Sequence, residues 1–229
     1  MSTSTHPIDT PTHRALLIVD VQPTFCEGGS LPVPGGNDVA HAVASYASLN
    51  RDHYDTLVTT QDWHVDPGDH FSDNPDFVDT WPPHGVAGTQ EAELHPALSE
   101  LYPEVTVKKG MHAAAYSGFE AVDGDGRPLE TILRDYEITD VDVVGLAESH
   151  CVKATALDAV RAGLTVRVLT DLTAPVTPEQ GEAARTEMTA AGIQLVPSTQ
   201  VAAEPSGQVP GGAPGKSSGK AVRESSDAD

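Results

Sequence analysis

One loop region of the chain contains aspartate and histidine side chains whose types and spacing suit a metal ion. Asp62 and His64 alternate at the end of a short apolar run, and His70 and His84 follow in the same long loop. Residues i and i+2 of an extended segment face the same way, and imidazole with carboxylate suits zinc, iron or manganese. The alternative is a polar loop whose histidines cap turns. Four potential ligands in one loop favour a site for one divalent ion: Fe²⁺, Mn²⁺ or Zn²⁺.

Cys151 is the candidate nucleophile of the chain. It lies in the stretch 140–163, DVDVVGLAESHCVKATALDAVRAG, where a buried strand is followed by the first turn of an amphipathic helix. The free N–H groups and positive dipole end of a helix start lower the pKa of a thiol and can hold an oxyanion. A lone cysteine is more commonly a small buried hydrophobic residue, so this position makes Cys151 a candidate only.

Asp20 and Lys109 stand at the ends of two other apolar runs and could complete a reactive set with Cys151. Ligands of open α/β sheets bind beyond the carboxyl ends of strands. The thiol would attack, the carboxylate would take its proton and pass it to a leaving amine, and the ammonium would hold the thiolate. Taken singly, an Asp cap and a surface Lys are the commoner explanations. Only the fold can bring the three together.

Alternating strand and helix patterns are the elements that must position these side chains. They predict an α/β fold whose sheet is mostly parallel, with helices on both faces. The predicted strands are 15–22, 56–60, 105–109, 141–147, 165–172 and 193–196, and the predicted helices are 37–49 (with Asn37 as its cap), 128–136, 152–163 and 178–192 (with Thr177 as its cap). One domain at 15–201 is expected between a flexible tail at 1–14 and a disordered tail at 202–229, which is rich in Pro, Gly and Ser.

Composition limits the function classes. The formal net charge of −21 argues against nucleic acid and anionic membrane surfaces as partners. No apolar run approaches 18 residues, and the polar start lacks a signal segment, so we expect a cytoplasmic protein with no membrane partner. The two cysteines form no CxxC pattern. Cys26 is therefore interpreted as structural, the alternative being a second reactive thiol or a redox partner of Cys151.

At these residues the sequence resembles the nicotinamidase/pyrazinamidase family of isochorismatase-like cysteine hydrolases. The resemblance covers nearly all of 15–196, with the metal loop, the strand ends and the cysteine turn in the family's order. The matching segments are ALLIVDVQPTFCEGGSLPVPGG, DWHVDPGDHF, WPPHGVAGT, KKG, AYSGFE, VDVVGLAESHCVKATALDAVRAGL and VLTDLTAPV.

The resemblance implies a three-layer αβα fold with a six-stranded parallel sheet, and it also implies an activity. The implied reaction hydrolyses nicotinamide to nicotinate and ammonia, and pyrazinamide to pyrazinoate, as a step of NAD salvage. The implied partner is thus a small-molecule substrate, and the protein is expected to be a monomer or small homo-oligomer. A metal ion would position the pyridine nitrogen.

The resemblance also implies a role for each matching residue. Cys151 would be the nucleophile, Asp20 the general acid/base and Lys109 the third catalytic residue. The Leu146–Ala147 peptide matches a cis bond, which would turn the Ala147 N–H toward that of Cys151 to form an oxyanion hole. The metal ligands would be Asp62, His64, His70 and His84, and the substrate pocket would include Phe25, Trp81, Tyr116, Leu146 and Ala147.

Two pairs depart from the family pattern. Met111-His112 replaces small and aromatic residues after Gly110, and Glu148-Ser149 replaces a Thr-Asp-like pair before His150. Neither pair falls on an expected catalytic position. Two rival functions stay open at this point: an amidase of the same superfamily acting on carbamoyl or ureido compounds, and a non-catalytic metal-binding or redox protein.

Overall fold

Six short runs of the chain form one sheet in the computed structural model, which describes residues 12–203. All strand pairings among these residues are parallel, and the strand order is β3-β2-β1-β4-β5-β6. The strands are β1 (Arg14–Val19), β2 (Thr56–Asp62), β3 (Val105–Lys109), β4 (Asp140–Leu146), β5 (Thr165–Ala174) and β6 (Gln194–Val196). The predicted parallel α/β sheet is confirmed.

Helices cover both faces of the sheet and give the three layers. The helices are α1 (Gly36–Leu49), α2 (Leu129–Asp135), α3 (Lys153–Arg161), α4 (Pro178–Ala190) and α5 (Ser198–Ala202). Helices α2, α3 and α4 pack in one apolar core, while α1 and α5 pack in the other. In β1, Leu17 contacts the first core and Leu16 the second, because successive side chains of a strand point to opposite faces.

Local signals set the helix starts with two corrections. Cys151, predicted in the first turn of a helix, lies instead in a π-helical turn, Glu148–Val152, that directly precedes α3. Thr177 caps α4 as predicted, since its side chain accepts a hydrogen bond from the Gln180 N–H. The predicted Asn37 cap is wrong: α1 begins at Gly36, and the Glu27 carboxylate accepts from the backbone N–H groups of Gly35 and Asn37. A carboxylate ten residues upstream in sequence is invisible to a local capping pattern.

The strand order creates a crevice between β1 and β4. Successive strands run outward from β1 to β3, and the chain then returns to place β4 on the other side of β1. In such sheets this switch point is where ligands bind. Gly145 permits the close approach there, because it has φ +109° and a Cβ would lie 2.1 Å from the Val19 carbonyl oxygen.

The first and last described elements lie near the ends of the domain that the sequence predicts at 15–201, and its bounds stay a prediction. Strand β1 starts at Arg14, the last residue of the predicted N-terminal tail, and α5 ends at Ala202, the first residue of the other. The remainder of both predicted tails lies almost wholly outside residues 12–203. Within those residues, none of the helices combines the length and hydropathy needed to cross a bilayer.

Candidate active site and metal centre

The ends of three strands bring Asp20, Lys109 and Cys151 together. Asp20 follows β1, Lys109 is the last residue of β3, and Cys151 follows β4. The Lys109 Nζ lies 2.9 Å from the Asp20 Oδ2 and 3.7 Å from the Cys151 Sγ. All three residues are at most 6% exposed, and Cys151 lines a cavity. The structure therefore assembles the set that the sequence could only suggest.

Burial and charge set the protonation of this group. Burial alone would lower the pKa of Lys109, but the carboxylates of Asp20 and Asp62 outweigh it and hold that pKa well above its usual value. Burial raises the pKa of the Cys151 thiol, against the opposing effect of Lys109. Burial likewise raises the pKa of Asp20. A protonated lysine, a thiol and a basic carboxylate are thus in contact, as proton transfer from sulfur requires.

Asp20 is held in a fixed orientation by Thr60 of the neighbouring strand. The Thr60 hydroxyl donates to the Asp20 Oδ1 at 2.6 Å and accepts from the Asp20 backbone N–H at 3.1 Å. Asp20 has φ +46°, a conformation that non-glycine residues rarely adopt. Such strain is commonly found at functional positions, where the surrounding structure enforces it.

Three imidazoles meet beside this group. The side-chain nitrogens of His64, His70 and His84 lie within 4.8 Å of one another, and all three residues are buried. The Asp62 Oδ2 lies 3.6 Å from the His64 Nε2 and 3.8 Å from the His84 Nε2. The other Asp62 oxygen accepts from Lys109, in contact with the ammonium. Asp62 therefore joins the imidazole cluster to the cysteine group, a double contact that the sequence analysis missed.

The imidazole cluster fits a divalent metal ion. The His64 Nδ1 contacts the Gly110 carbonyl oxygen at 2.6 Å, and the His84 Nδ1 contacts that of Pro82 at 2.8 Å, which leaves both Nε2 atoms as acceptors. The His64 Nε2 and the His70 Nδ1 are buried without a hydrogen-bond partner among residues 12–203. Burial lowers the pKa of His84 to about 4 and lowers that of His70, so both imidazoles are neutral at neutral pH, as metal binding requires.

Gly110 sets the position of His64, and we expect Gly110→Ala to weaken metal binding. A Cβ at Gly110 would lie 2.5 Å from the His64 Cε1, and the residue has φ +74°. Displacing a carbonyl that orients a ligand histidine typically costs about 10–100-fold in metal affinity. Metal content after dialysis measures this loss. Gly126→Ala is the matched control, because Gly126 has φ +80° but open space around it; equal metal retention by both variants would contradict the expectation.

A cavity opens over the two groups. Phe25, Trp81, Tyr116 and Ala147 line it as the resemblance implied, together with Asp62, His70, His84 and Cys151. The Trp81 Nε1–H donates to the Tyr116 hydroxyl at 2.9 Å, which fixes both rings. Leu146 does not line the cavity. Its side chain is fully buried in the core that contains α1, and the Leu146–Ala147 peptide is cis.

Several residues that the sequence did not mark as pocket residues also line the cavity. His150 lies with its ring centroid 5.4 Å from that of Trp81, and Val176 follows β5. Leu31, Pro32 and Val33 contribute an apolar wall from the loop before α1. Position next to the nucleophile was a usable signal for His150. No local pattern marks the others, because the loop reaches the cavity only through the fold.

Cys26 is separate from this chemistry. It is 2% exposed in the core that contains α1, and burial raises the pKa of its thiol to about 11. Unlike Cys151, it does not line the cavity. The structural interpretation of Cys26 is therefore favoured over that of a redox partner.

Several known proteins are similar to this chain in sequence and fold. Nicotinamidase/pyrazinamidase of Mycobacterium tuberculosis is 52% identical over 183 residues, which cover 80% of this chain and 98% of that protein. The pyrazinamidase of Pyrococcus horikoshii, solved in complex with zinc, superposes with a TM-score of 0.69 at 36% identity, covering 81% of this chain and 99% of its own. A protein from L. infantum, solved in complex with nicotinate, gives a TM-score of 0.69 at 32% identity, with 82% and 94% covered.

The model of the isochorismatase domain family matches residues 14–200, which include every strand and helix described above except the last residues of α5. The match spans well over half of the chain and contains both the cysteine group and the imidazole cluster. The chain belongs to the isochorismatase family.

Proposed function

We propose that this protein hydrolyses nicotinamide to nicotinate and ammonia, and pyrazinamide to pyrazinoate, through a thioester on Cys151. The contact of Cys151 with Lys109 and Asp20, beside three buried imidazoles in one cavity, is the observation that carries the proposal. The similarity to a nicotinamidase/pyrazinamidase over 98% of that protein's length supports the choice of substrate.

Formation of the thioester needs one proton carrier. Asp20 takes the proton of the Cys151 thiol as sulfur attacks the carboxamide carbon, and the carbonyl oxygen becomes an oxyanion. The backbone N–H groups of Ala147 and Cys151 are the proposed oxyanion donors. Asp20 then gives its proton to the amide nitrogen, and ammonia leaves as the C–N bond breaks.

Hydrolysis of the thioester reuses the same groups in reverse. Asp20 removes a proton from water as the water oxygen attacks the thioester carbonyl. The C–S bond breaks, and the proton held by Asp20 returns to the Cys151 sulfur, so the acid leaves and the thiol is regenerated. Lys109 stays protonated throughout and stabilises whichever of its two neighbours carries negative charge.

Substrate orientation is assigned to the cavity walls and the metal ligands. Asp62, His64, His70 and His84 are proposed to hold one divalent ion, Fe²⁺, Mn²⁺ or Zn²⁺, which would supply a Lewis acid for the ring nitrogen of the substrate. Phe25 and Trp81 offer flat faces for a heteroaromatic ring. A substrate bound in this orientation would have its carboxamide group facing Cys151.

The test is ammonia release from nicotinamide by the purified chain. We expect equimolar nicotinate by chromatography, loss of activity after treatment with a chelator, and recovery on adding back one of the three metals. An ureido or carbamoyl compound assayed in parallel separates the rival amidase function. Hydrolysis of that compound without any of nicotinamide would overturn the proposal.

We expect Thr60→Val to move the acid limb of the pH profile of kcat/KM upward. The Thr60 hydroxyl donates to the ionised Asp20 carboxylate and so lowers its pKa, against the larger raising effect of burial. Removing the hydroxyl raises that pKa further. Because Asp20 must be ionised to accept the thiol proton, activity is then lost at a higher pH than in the parent chain.

The control for this profile is Thr59→Val on the same strand. The Thr59 hydroxyl lies 2.9 Å from that of Thr106 and is not hydrogen-bonded to Asp20. An unmoved acid limb in Thr60→Val, or an equal shift in the control, would contradict the role assigned to Asp20.

A further inference from the structure

A buried ion pair holds the turn that carries Cys151. Glu148 is the first residue of a π-helical turn, Glu148–Val152, and is 1% exposed. Both of its carboxylate oxygens accept from Arg185 of α4, with the Nε to Oε1 and Nη2 to Oε2 distances both 2.8 Å. The Arg185 side chain is 44% exposed. The guanidinium of Arg185 therefore extends from the protein surface to the buried carboxylate of Glu148.

This geometry fixes the backbone on which the reaction depends. Two parallel hydrogen bonds between guanidinium and carboxylate define an orientation as well as neutralising charge. Glu148 directly follows Ala147 and precedes Cys151 by three residues. The ion pair thus restrains the segment that contains both proposed oxyanion donors and the nucleophile.

A second anchor lies beside the first. The Ser149 hydroxyl accepts from the Val176 N–H at 3.2 Å and lies 2.9 Å from the His150 Nδ1. Val176 and His150 both line the cavity. Glu148 and Ser149 are the pair that departs from the family pattern, so this chain ties its nucleophile turn to α4 and to the segment after β5 through its own side chains.

We propose that the Glu148–Arg185 ion pair is a positioning device that holds the Cys151 turn in its reactive geometry. The inference relies on the proposed function for its turnover measurement, but the reactivity of the thiol tests it independently. Neither residue lines the cavity, so both act through the turn rather than on substrate.

The test compares Arg185→Gln with the double variant Glu148→Gln/Arg185→Gln. Arg185→Gln removes both guanidinium hydrogen bonds and leaves a buried carboxyl group without its charged partner, so the turn loses this restraint. We expect kcat to fall at least about tenfold with KM changed less than about threefold, since a shift on the order of 1 Å suffices for such a loss. Alkylation of Cys151 by iodoacetamide, resolved from Cys26 by peptide mass mapping, should slow in parallel.

The double variant should recover part of both rates, because it removes the unpaired charge and leaves two amide side chains that can hydrogen-bond to each other across the same gap. Arg161→Gln is the matched control: Arg161 also pairs with a carboxylate, that of Asp158, but its side chain is 73% exposed and does not line the cavity. It should match the parent chain in both measurements. A residue of merely structural importance would alter the melting temperature without this pattern of loss and recovery.

Several outcomes decide against the inference. Parent-like kcat and alkylation in Arg185→Gln overturn it, as does a double variant as impaired as the single one. If Arg185→Gln does not fold, Glu148→Gln replaces it: this variant keeps one neutral acceptor for the guanidinium, and an unchanged kcat would overturn the inference. If the parent chain hydrolyses no nicotinamide, the proposed function fails, while the alkylation rates still decide the role of the ion pair.

Discussion

Replacing Cys151 by alanine is expected to lower kcat for nicotinamide by about 10⁴-fold or more while leaving the metal content intact. The sulfur forms the covalent bond of the thioester intermediate. Because the nucleophile and its proton carrier act as a unit, removing the nucleophile eliminates nearly all of the rate enhancement that the unit provides. The imidazoles keep their contacts, because the sulfur touches Lys109 rather than a histidine. Steady-state ammonia release and metal analysis measure the two effects.

The matched control is Cys26→Ala, which also removes one buried sulfur. Because Cys26 lies outside the lining of the cavity, its variant should keep the kinetics and change only stability, by about 1 kcal/mol. Substantial turnover by Cys151→Ala would refute the assignment of the nucleophile. A comparable loss in both variants would assign the effect to packing.

His64→Ala is expected to lose metal and activity together. The His64 Nε2 is a buried acceptor without a hydrogen-bond partner among the described residues, and it faces Asp62 at 3.6 Å. Loss of a direct ligand should reduce metal affinity by more than the about 10–100-fold that an orienting contact costs. Equilibrium dialysis with each candidate metal gives the affinity, and kcat/KM at saturating metal gives the activity.

Two further variants serve as controls for the result with His64→Ala. His41→Ala changes an exposed histidine on α1 and should alter neither quantity. His64→Gln retains a polar side chain of similar reach, so it tests the ligand if the alanine variant melts early. A His64 variant that is free of metal yet fully active would rule out the assigned ligand set.

Local sequence patterns were sufficient for most of the secondary structure. Apolar runs of about the right length gave β3 its bounds, Val105–Lys109, and Thr177-Pro178 marked the start of α4. These signals succeed because strand alternation and helix capping depend on neighbours within a few residues. The predicted Asn37 cap of α1 is wrong because the capping carboxylate, Glu27, lies several residues upstream, outside the range of a local capping pattern.

The sequence also predicted which side chains lie at the site, but it did not predict their hydrogen-bond and ion-pair partners. Asp62 was assigned to the metal alone, whereas one of its oxygens accepts from Lys109 and the other faces two histidines. Likewise, Glu148-Ser149 was noted only as a departure from a pattern. Its contact with Arg185, 37 residues away, makes it an anchor of the nucleophile turn.

The sequence by itself determined which groups are available: a thiol at the start of a helix, carboxylates and an amine after apolar strands, and imidazoles in one loop. The tertiary structure alone decided that Lys109 and Cys151, 42 positions apart, lie within 3.7 Å. The physical reason is the strand order. The hydrophobic pattern within a strand determines which of its faces is buried. Which strands become neighbours depends on how the helices pack against both faces of the whole sheet.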